Sequence, residues 1–285
     1  MVLQFLSNAI IVSSMYALVA IGLTLIYSVG GVFNLAHGVN VALGAWLSWY
    51  LVANLGFNIW VGVAVAIAVP ALFSLAIYLG LIRHIQDRPI IVMTVTLLIE
   101  IIWEYFIRTT VGTQARTVPQ IVPGNVNFAG VHLLSNLVLA FVVSWVIIVA
   151  VFLFIDRTKF GKAIVATSMS EKGPALVGIK RGRVYAGTWL IAGLLAGIAG
   201  LFFGSYRGAD WLVGQTALLI AFPIVVLGGI GSIRGSVLAA YIIGFIEIGV
   251  ITYYDPRMSG VLPFIILIGI LLVRPEGLLG RGQEV

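Results

Sequence analysis

Cysteine is absent from the 285 residues. Its absence removes a disulfide framework, a thiolate metal site and a thiol nucleophile from consideration, though it says little about compartment. Charge is nearly as scarce. Only 9% of the residues are Asp, Glu, Lys or Arg, where soluble domains carry about 25%. With 61% hydrophobic residues and a mean hydropathy of +1.14, the chain is too apolar for a soluble fold. Catalytic signatures are missing as well. There is no GxxxxGK[ST], so the chain is not expected to hydrolyse ATP itself, and no HExxH or GxSxG. No catalytic residue, metal site or cofactor is expected.

Long apolar runs take their place. Crossing the hydrocarbon needs about 20 apolar residues in a helix, whereas a barrel would show segments of about ten with alternating polarity. The fold class expected is all-α: a polytopic helical membrane protein of about eight or nine transmembrane helices, one or two of them interrupted. The runs are Phe5–Tyr27, Val39–Leu55, Ile59–Leu81 with Pro70 as an expected kink, Ile90–Ile107, Leu137–Phe154, Thr188–Phe203, a short one at Ala217–Leu227, Ser236–Ile251 and Val261–Val273. The N-terminus, MVLQFLSNAII, lacks a basic n-region and a small-residue cleavage site. It reads as a retained first span. A single transmembrane domain over 1–285 is expected.

The net charge of +6 and pI near 9.7 do not point to nucleic acid, because the excess sits in loops where topology accounts for it. The stretch Ile155–Gly187 holds seven of the 16 basic residues: Arg157, Lys159, Lys162, Lys172, Lys180, Arg181 and Arg183. Cytoplasmic loops retain Lys and Arg, so 155–187 is placed in the cytoplasm. Arg83, Arg88, Arg234, Arg274 and Arg281 then fall inside too, for a total of twelve. Arg108, Arg116, Arg207 and Arg257 fall outside, which makes four. The loop 108–136 is external, the N-terminus external and the C-terminus cytoplasmic.

Polar groups inside the apolar runs are the candidate functional residues. SVGGVFNLAHGVN (28–40) puts Asn34, His37 and Asn40 beside Gly30, Gly31 and Gly38. It reads as a broken helix lining a polar path or as a tight turn at the membrane surface. His37 has no second ligand at metal spacing. Glu100 and Glu247 are the carboxylates best placed within apolar runs, where charge is costly and usually faces a cavity or the bundle interior. Each is a transport residue or a buried structural partner. Glu104 and Arg108 stand at i,i+4 as a helix pair. Gly193, Gly197, Gly200 and Gly204 form a small face suited to close helix packing. Gly229-Ile-Gly231-Ser-Ile-Arg-Gly235 has the spacing GxGxxxG and no βαβ context, so it is not a dinucleotide site. The internal echo between Val29-Gly-Gly-Val32 and Leu227-Gly-Gly-Ile230 suggests a repeat.

Within 155–187, Phe160–Met169 reads as a short helix. A second starts at Pro174 and closes at Gly178. Ala175, Leu176 and Ile179 give it an apolar side rimmed by Glu171, Lys172 and Lys180. Such an element docks in a partner's groove or lies on the membrane.

GLTLIYSVGGVFNLAHG (22–38), ALVGIKRGRVYAGTWLIAGLLAGIAG (175–200), VLGGIGSIRGSVLAAYIIGFIE (226–247) and LLVRPEGLLG (271–280) resemble the permease subunits of branched-chain amino-acid ABC importers, the shorter of the two permeases in those systems. The resemblance implies a second permease subunit, in a homo- or heterodimer, two cytoplasmic ATPase subunits and an extracytoplasmic substrate-binding protein, all at a cell membrane. Asn34, His37, Gly38, Asn40, Glu100 and Glu247 would belong to the translocation pathway. Ser170, Glu171, Pro174, Ala175, Leu176, Gly178 and Ile179 would match the segment that couples to the ATPase. The chain departs from the family pattern at Val39-Asn40 and at Ser168–Pro174. Urea and amide importers share much of this pattern. An ion- or proton-coupled secondary carrier, with Glu100 or Glu247 as its coupling carboxylate, is the alternative from another class.

Overall fold

The computed structural model describes residues 2–128, 130–170, 173–176, 178–255, 261–273 and 276–280. Its helices in chain order are α1 (Val2–Gly30), α2 (His37–Trp49), α3 (Ile59–Ile77), α4 (Arg83–Ile85), α5 (Pro89–Thr110), α6 (Ser135–Arg157), α7 (Lys159–Met169), α8 (Gly173–Leu176), α9 (Arg181–Arg207), α10 (Val213–Gly228), α11 (Ile233–Tyr253) and α12 (Val261–Val273). Tyr50–Asn54 and Tyr78–Ile82 are π-helical turns that extend α2 and join α3 to α4. A hairpin pairs β1 (Asn125–Phe128) with β2 (Val131–Leu134). The architecture is an all-α, polytopic membrane bundle.

The nine apolar runs all appear as helices, but they are not equivalent. Among the described residues six are long and apolar enough to cross a membrane: Val2–Gly30, Ile59–Ile85, Pro89–Thr110, Ser135–Arg157, Arg181–Arg207 and Ile233–Tyr253. α2, α10 and α12 are shorter, at 13, 16 and 13 residues. The expectation of eight or nine full spans therefore resolves into six long helices and three shorter ones. α3 runs on through Pro70, whose ring and carbonyl pack against Gly193 and Gly197 of α9.

α1 is the axis. It is apolar all round, as a fully buried helix must be, and 94% of its most hydrophobic window is covered by protein. The corresponding figures for α5 and α6 are 22% and 28%, so these two lie at the periphery. Between membrane helices apolar side chains gain little over lipid, and close backbone approach supplies the attraction. α9 is built for it. Gly44 of α2 meets Gly197, Gly200 meets Val41, Gly204 meets Ala45, and Gly193 meets Pro70 and Ala71 of α3. The small face of α9 is thus spent on packing inside this chain. Hydrogen bonds join further pairs: Thr24 Oγ1 to Ser236 Oγ at 2.6 Å between α1 and α11, and Ser74 Oγ to the Trp189 carbonyl at 2.7 Å between α3 and α9.

The two ends of the bundle sort the loops. At one end the Gln4 amide donates to the His132 carbonyl, Arg116 bridges to Ala209, Arg108 stacks over Trp211 and the Trp46 indole donates to the Asp210 carbonyl. At the other, Arg234 pairs with Asp156 and Tyr78 stacks near Tyr185. Residues 276–280 close over the α10–α11 turn there: Leu278 and Leu279 donate to the Leu227 and Gly228 carbonyls, and Gly277 lies against Gly229. The N-terminal residues share an end with 108–136, and 276–280 share the opposite end with 155–187. The glycine-rich 229–235 stretch is a turn sealed by the C-terminal segment. Gly31 and Gly229, at φ +64° and +96°, end α1 and α10 in the left-handed region that other residues avoid. The Val29–Val32 and Leu227–Ile230 echo is therefore a pair of like helix ends.

Candidate functional site: the seam between α2, α5 and α10

The break after α1 starts at the exposed Gly31, residues 32–36 fold back into the bundle, and α2 starts with His37, Gly38, Val39 and Asn40 all buried. His37 Nε2 lies 3.1 Å from the Val19 carbonyl in the middle of α1. A carbonyl only accepts, so Nε2 carries the proton and Nδ1 is left as an acceptor without a protein partner. The linker is also tied outward: the Leu35 N–H donates to Thr96 Oγ1 of α5 at 3.1 Å.

α10 starts in the same place. The backbone of Gly214 touches the backbone of Gly38, so a β-carbon on Gly38 would stand 2.7 Å from the Gly214 oxygen. Two helices thus begin inside the bundle with their N-termini together. Neither has a side-chain N-cap, and the first N–H groups of a helix have no partner within it. Glu100 reaches into this junction from α5. A β-carbon on Gly38 would stand 2.7 Å from Glu100 Oε1, and one on Gly214 3.0 Å from the same atom. The carboxylate faces the Val39 N–H, yet neither oxygen makes a well-formed hydrogen bond. Glu100 is 3% exposed. Helix N-termini carry about half a positive charge each, which opposes the desolvation cost of a carboxylate placed beside them.

Polar atoms without a protein partner recur on the break, on α2 and on α5, and also at Ser13, Ser48, Tyr78 and Ser144. Both amide atoms of Asn34 and of Asn40, Gln86 Oε1, Trp103 Nε1 and Glu104 Oε1 are buried and unpartnered. Asn34 and Gln86 border a small cavity of about 20 Å³ with Val32, Tyr185 and Trp189. A buried unsatisfied group costs roughly 1–3 kcal/mol, and native structures hold few of them. Such a concentration is a cost that stability alone does not explain.

The structure brings Gly38 and Glu100 together, while His37 turns to Val19 and Gly22 of α1, Asn34 borders the cavity beside Gln86 and Asn40 is buried on α2. Glu247 stands apart, on α11, where its Oε1 lies 3.5 Å from the Arg207 guanidinium and its carboxylate meets the Tyr16 hydroxyl. Glu104 and Arg108 are not among the ion pairs of the described residues; Arg108 turns to Trp211 instead. In the basic loop, α7 matches the expected Phe160–Met169 helix to within one residue. Ser170 Oγ accepts the Gly173 N–H at 3.0 Å. Pro174 is the second residue of α8, its carbonyl accepts the Ile179 N–H at 3.0 Å, and Gly178 closes the turn at φ +77°. Ala175 and Leu176 lie within α8; Glu171 falls outside the described residues. Sequence reasoning missed Gly214 and Thr96. The signal for Gly214 was the short Ala217–Leu227 run, too short to span alone.

Residues 5–271 match the family described as the branched-chain amino acid transport system / permease component. The chain belongs to that family. It is 30% identical, over 99% of its length and 96% of the relative's, to the high-affinity branched-chain amino acid transport system permease protein LivH of Escherichia coli. The identity and both coverages are the same for BraD of Pseudomonas aeruginosa. A probable LivH of Methanocaldococcus jannaschii is 27% identical over 97% of this chain and 92% of that protein. No solved structure matches the chain. The family is one of membrane transport permeases, so the buried junction is read as part of a transport machine.

Proposed function

We propose that this chain is the membrane permease subunit of an ATP-driven importer for branched-chain or other neutral amino acids, working by alternating access. The observation that carries the reading is the meeting of two interrupted helices at Gly38 and Gly214, in a chain whose relatives are named as branched-chain amino acid permeases. Interrupted helices near mid-membrane are where transporters place their substrate paths. In this reading a second permease subunit pairs with the chain, two ATPase subunits bind at the end carrying 155–187, and a binding protein delivers substrate at the end carrying 108–136. ATP is hydrolysed by the partner subunits. The N-terminus is external and the C-terminus cytoplasmic, because most of the basic residues lie at the 155–187 end. The chain forms one transmembrane domain. Ser170, Glu171, Pro174, Ala175, Leu176, Gly178 and Ile179 form the element that receives the ATPase stroke. Asn34, His37, Gly38, Asn40 and Glu100 line the path, and the ion pair at Glu247 is structural.

The test is a pull-down of the detergent-solubilised chain with a candidate ATPase subunit, wild type against Ala175→Arg. A charge placed on the short helix should abolish capture while the melting temperature of the isolated chain stays unchanged. A wild-type chain that captures no ATPase and takes up substrate on an ion gradient would instead mark a secondary carrier.

A further inference from the structure

We propose that the α2–α10 junction is a zwitterion site. The two helix N-termini take the substrate's α-carboxylate, and Glu100 takes its α-ammonium. The inference rests on the permease reading and adds a substrate-reading site to it.

The argument begins with charge. In an apolar bundle, a carboxylate must be compensated or neutralised. No ion pair among the described residues reaches Glu100, since these lie at Arg207–Glu247 and Arg234–Asp156, so the charge on offer beside it is that of the helix starts. Both Glu100 oxygens are buried without a well-formed hydrogen bond, and the starts of α2 and α10 beside it carry no side-chain cap. The Glu100 carboxyl group and the two helix starts therefore meet at Gly38 and Gly214. Gly38 and Gly214 let Glu100 approach the backbone closely, because a β-carbon on either would fall within 3.0 Å of Glu100 Oε1.

An α-amino acid carries its two charges on adjacent groups. Inserted between the N-termini and Glu100, it would pair each charge with its opposite, and the site would open by only the width of the zwitterion head. A neutral sugar or amide would separate the same charges without replacing them. α5, which carries Glu100, is the least covered of the six long helices, so moving it disturbs little packing. The buried, unpartnered amides of Asn34, on the break, and Asn40, on α2, supply further polar partners on the way through.

Two measurements test the site. In the first, the detergent-solubilised chain is melted with 10 mM L-leucine, leucinamide or 4-methylpentanoate. Leucine should raise the melting temperature, and the analogues lacking one charge should not. Glu100→Gln should remove the leucine shift. Equal shifts from all three compounds, a shift unaffected by Glu100→Gln, or no shift with leucine overturns the zwitterion site. In the second, the whole importer, with both permeases, ATPases and binding protein, is placed in proteoliposomes. Glu100→Gln should lower ATP-driven leucine uptake at least tenfold while binding-protein-stimulated ATP hydrolysis stays within twofold; Glu100→Asp should recover part of the uptake. Uptake unchanged by Glu100→Gln overturns the site and leaves the importer standing. Failure of the wild-type complex to import leucine on ATP strikes the permease reading itself, and the melting result then stands or falls on its own.

Discussion

His37 Nε2 lies 3.1 Å from the carbonyl oxygen of Val19, so the first residue of α2 is fastened to the middle of α1. The ring also fills the groove beside Gly22, where a β-carbon would stand 2.7 Å from His37 Cε1 and 3.2 Å from the Ala192 oxygen. The two residues are one fitting: a flat polar ring on α2 and a missing side chain on α1. Removing either should loosen the start of α2. His37→Ala should cost about 2–4 kcal/mol, from a lost hydrogen bond and a new cavity. Gly22→Ala should cost about 1–3 kcal/mol through overpacking. Thermal unfolding in detergent reads both. The two substitutions should be non-additive, because they act on one contact; strictly additive losses would mean that ring and glycine do not act together.

The α2–α9 contact predicts a contrast between two glycines. A β-carbon on Gly44 would stand 3.0 Å from the Gly197 α-carbon and nearer still to its carbonyl, whereas one on Gly80 meets nothing within 4 Å. Backbone cannot move aside as a side-chain tip can. Gly44→Ala should therefore lower stability by about 1–3 kcal/mol. Gly80→Ala should be neutral, or raise stability by up to about 1 kcal/mol through helix propensity. Equal effects at the two positions would show that α9 and α2 can separate freely.

Glu247 and Glu100 are both buried carboxylates, at 1% and 3% exposure, but their surroundings assign them different work. Glu247 meets the Arg207 guanidinium, whose side chain keeps 27% of its exposure. Breaking a fully buried pair costs about 3–5 kcal/mol. With one partner partly solvated and 3.5 Å away, Glu247→Gln should cost about 1–3 kcal/mol. Uptake by the assembled importer should stay within about threefold of wild type once expression is matched. A loss of uptake without a loss of stability would return Glu247 to the transport path.

The sequence carried much of this fold because membrane helices announce themselves by apolar length, and each of the nine runs is a helix. The ordering of the loops was legible for the same reason: basic residues cluster at the end holding 155–187, and Gln4–His132 and Arg234–Asp156 join the loops as that ordering requires. The break at 28–40 was visible in its glycines and amides, and Glu100 in its isolation. What could not be read was that Glu100 and the break meet. That contact depends on Gly214, which looks in sequence like any of 33 glycines. Only the third dimension sets it against Gly38. Glu104 and Arg108 failed for the opposite reason: their helical spacing allowed a pair, but Trp211 from another segment offered the guanidinium a better face. The β1–β2 hairpin was hidden by a loop composition in which Gly130 makes the turn at φ +80°.

Asp210, in the turn between α9 and α10, gives a prediction in pH. Burial pushes its carboxyl above the ordinary value of 3.8, while the Leu212 N–H and the Arg207 guanidinium pull the other way without cancelling the effect. Because the folded-state pKa is raised, the folded chain binds this proton more tightly than the unfolded chain. Stability from the protonated form is then present at low pH and lost as pH rises from about 3.8 through the folded value. Asp210→Asn removes the titration and keeps an oxygen able to accept from Leu212, the role that Asp210 Oδ1 fills at 3.0 Å. Relative to wild type, the variant should gain in melting temperature between pH 4 and pH 7, and the gap should level off above the folded pKa. Melting curves of both proteins across that range, in one detergent and at constant ionic strength, measure the gap. A gap that is flat, or that narrows as pH rises, would mean that Arg207 outweighs burial and that the turn prefers the carboxylate.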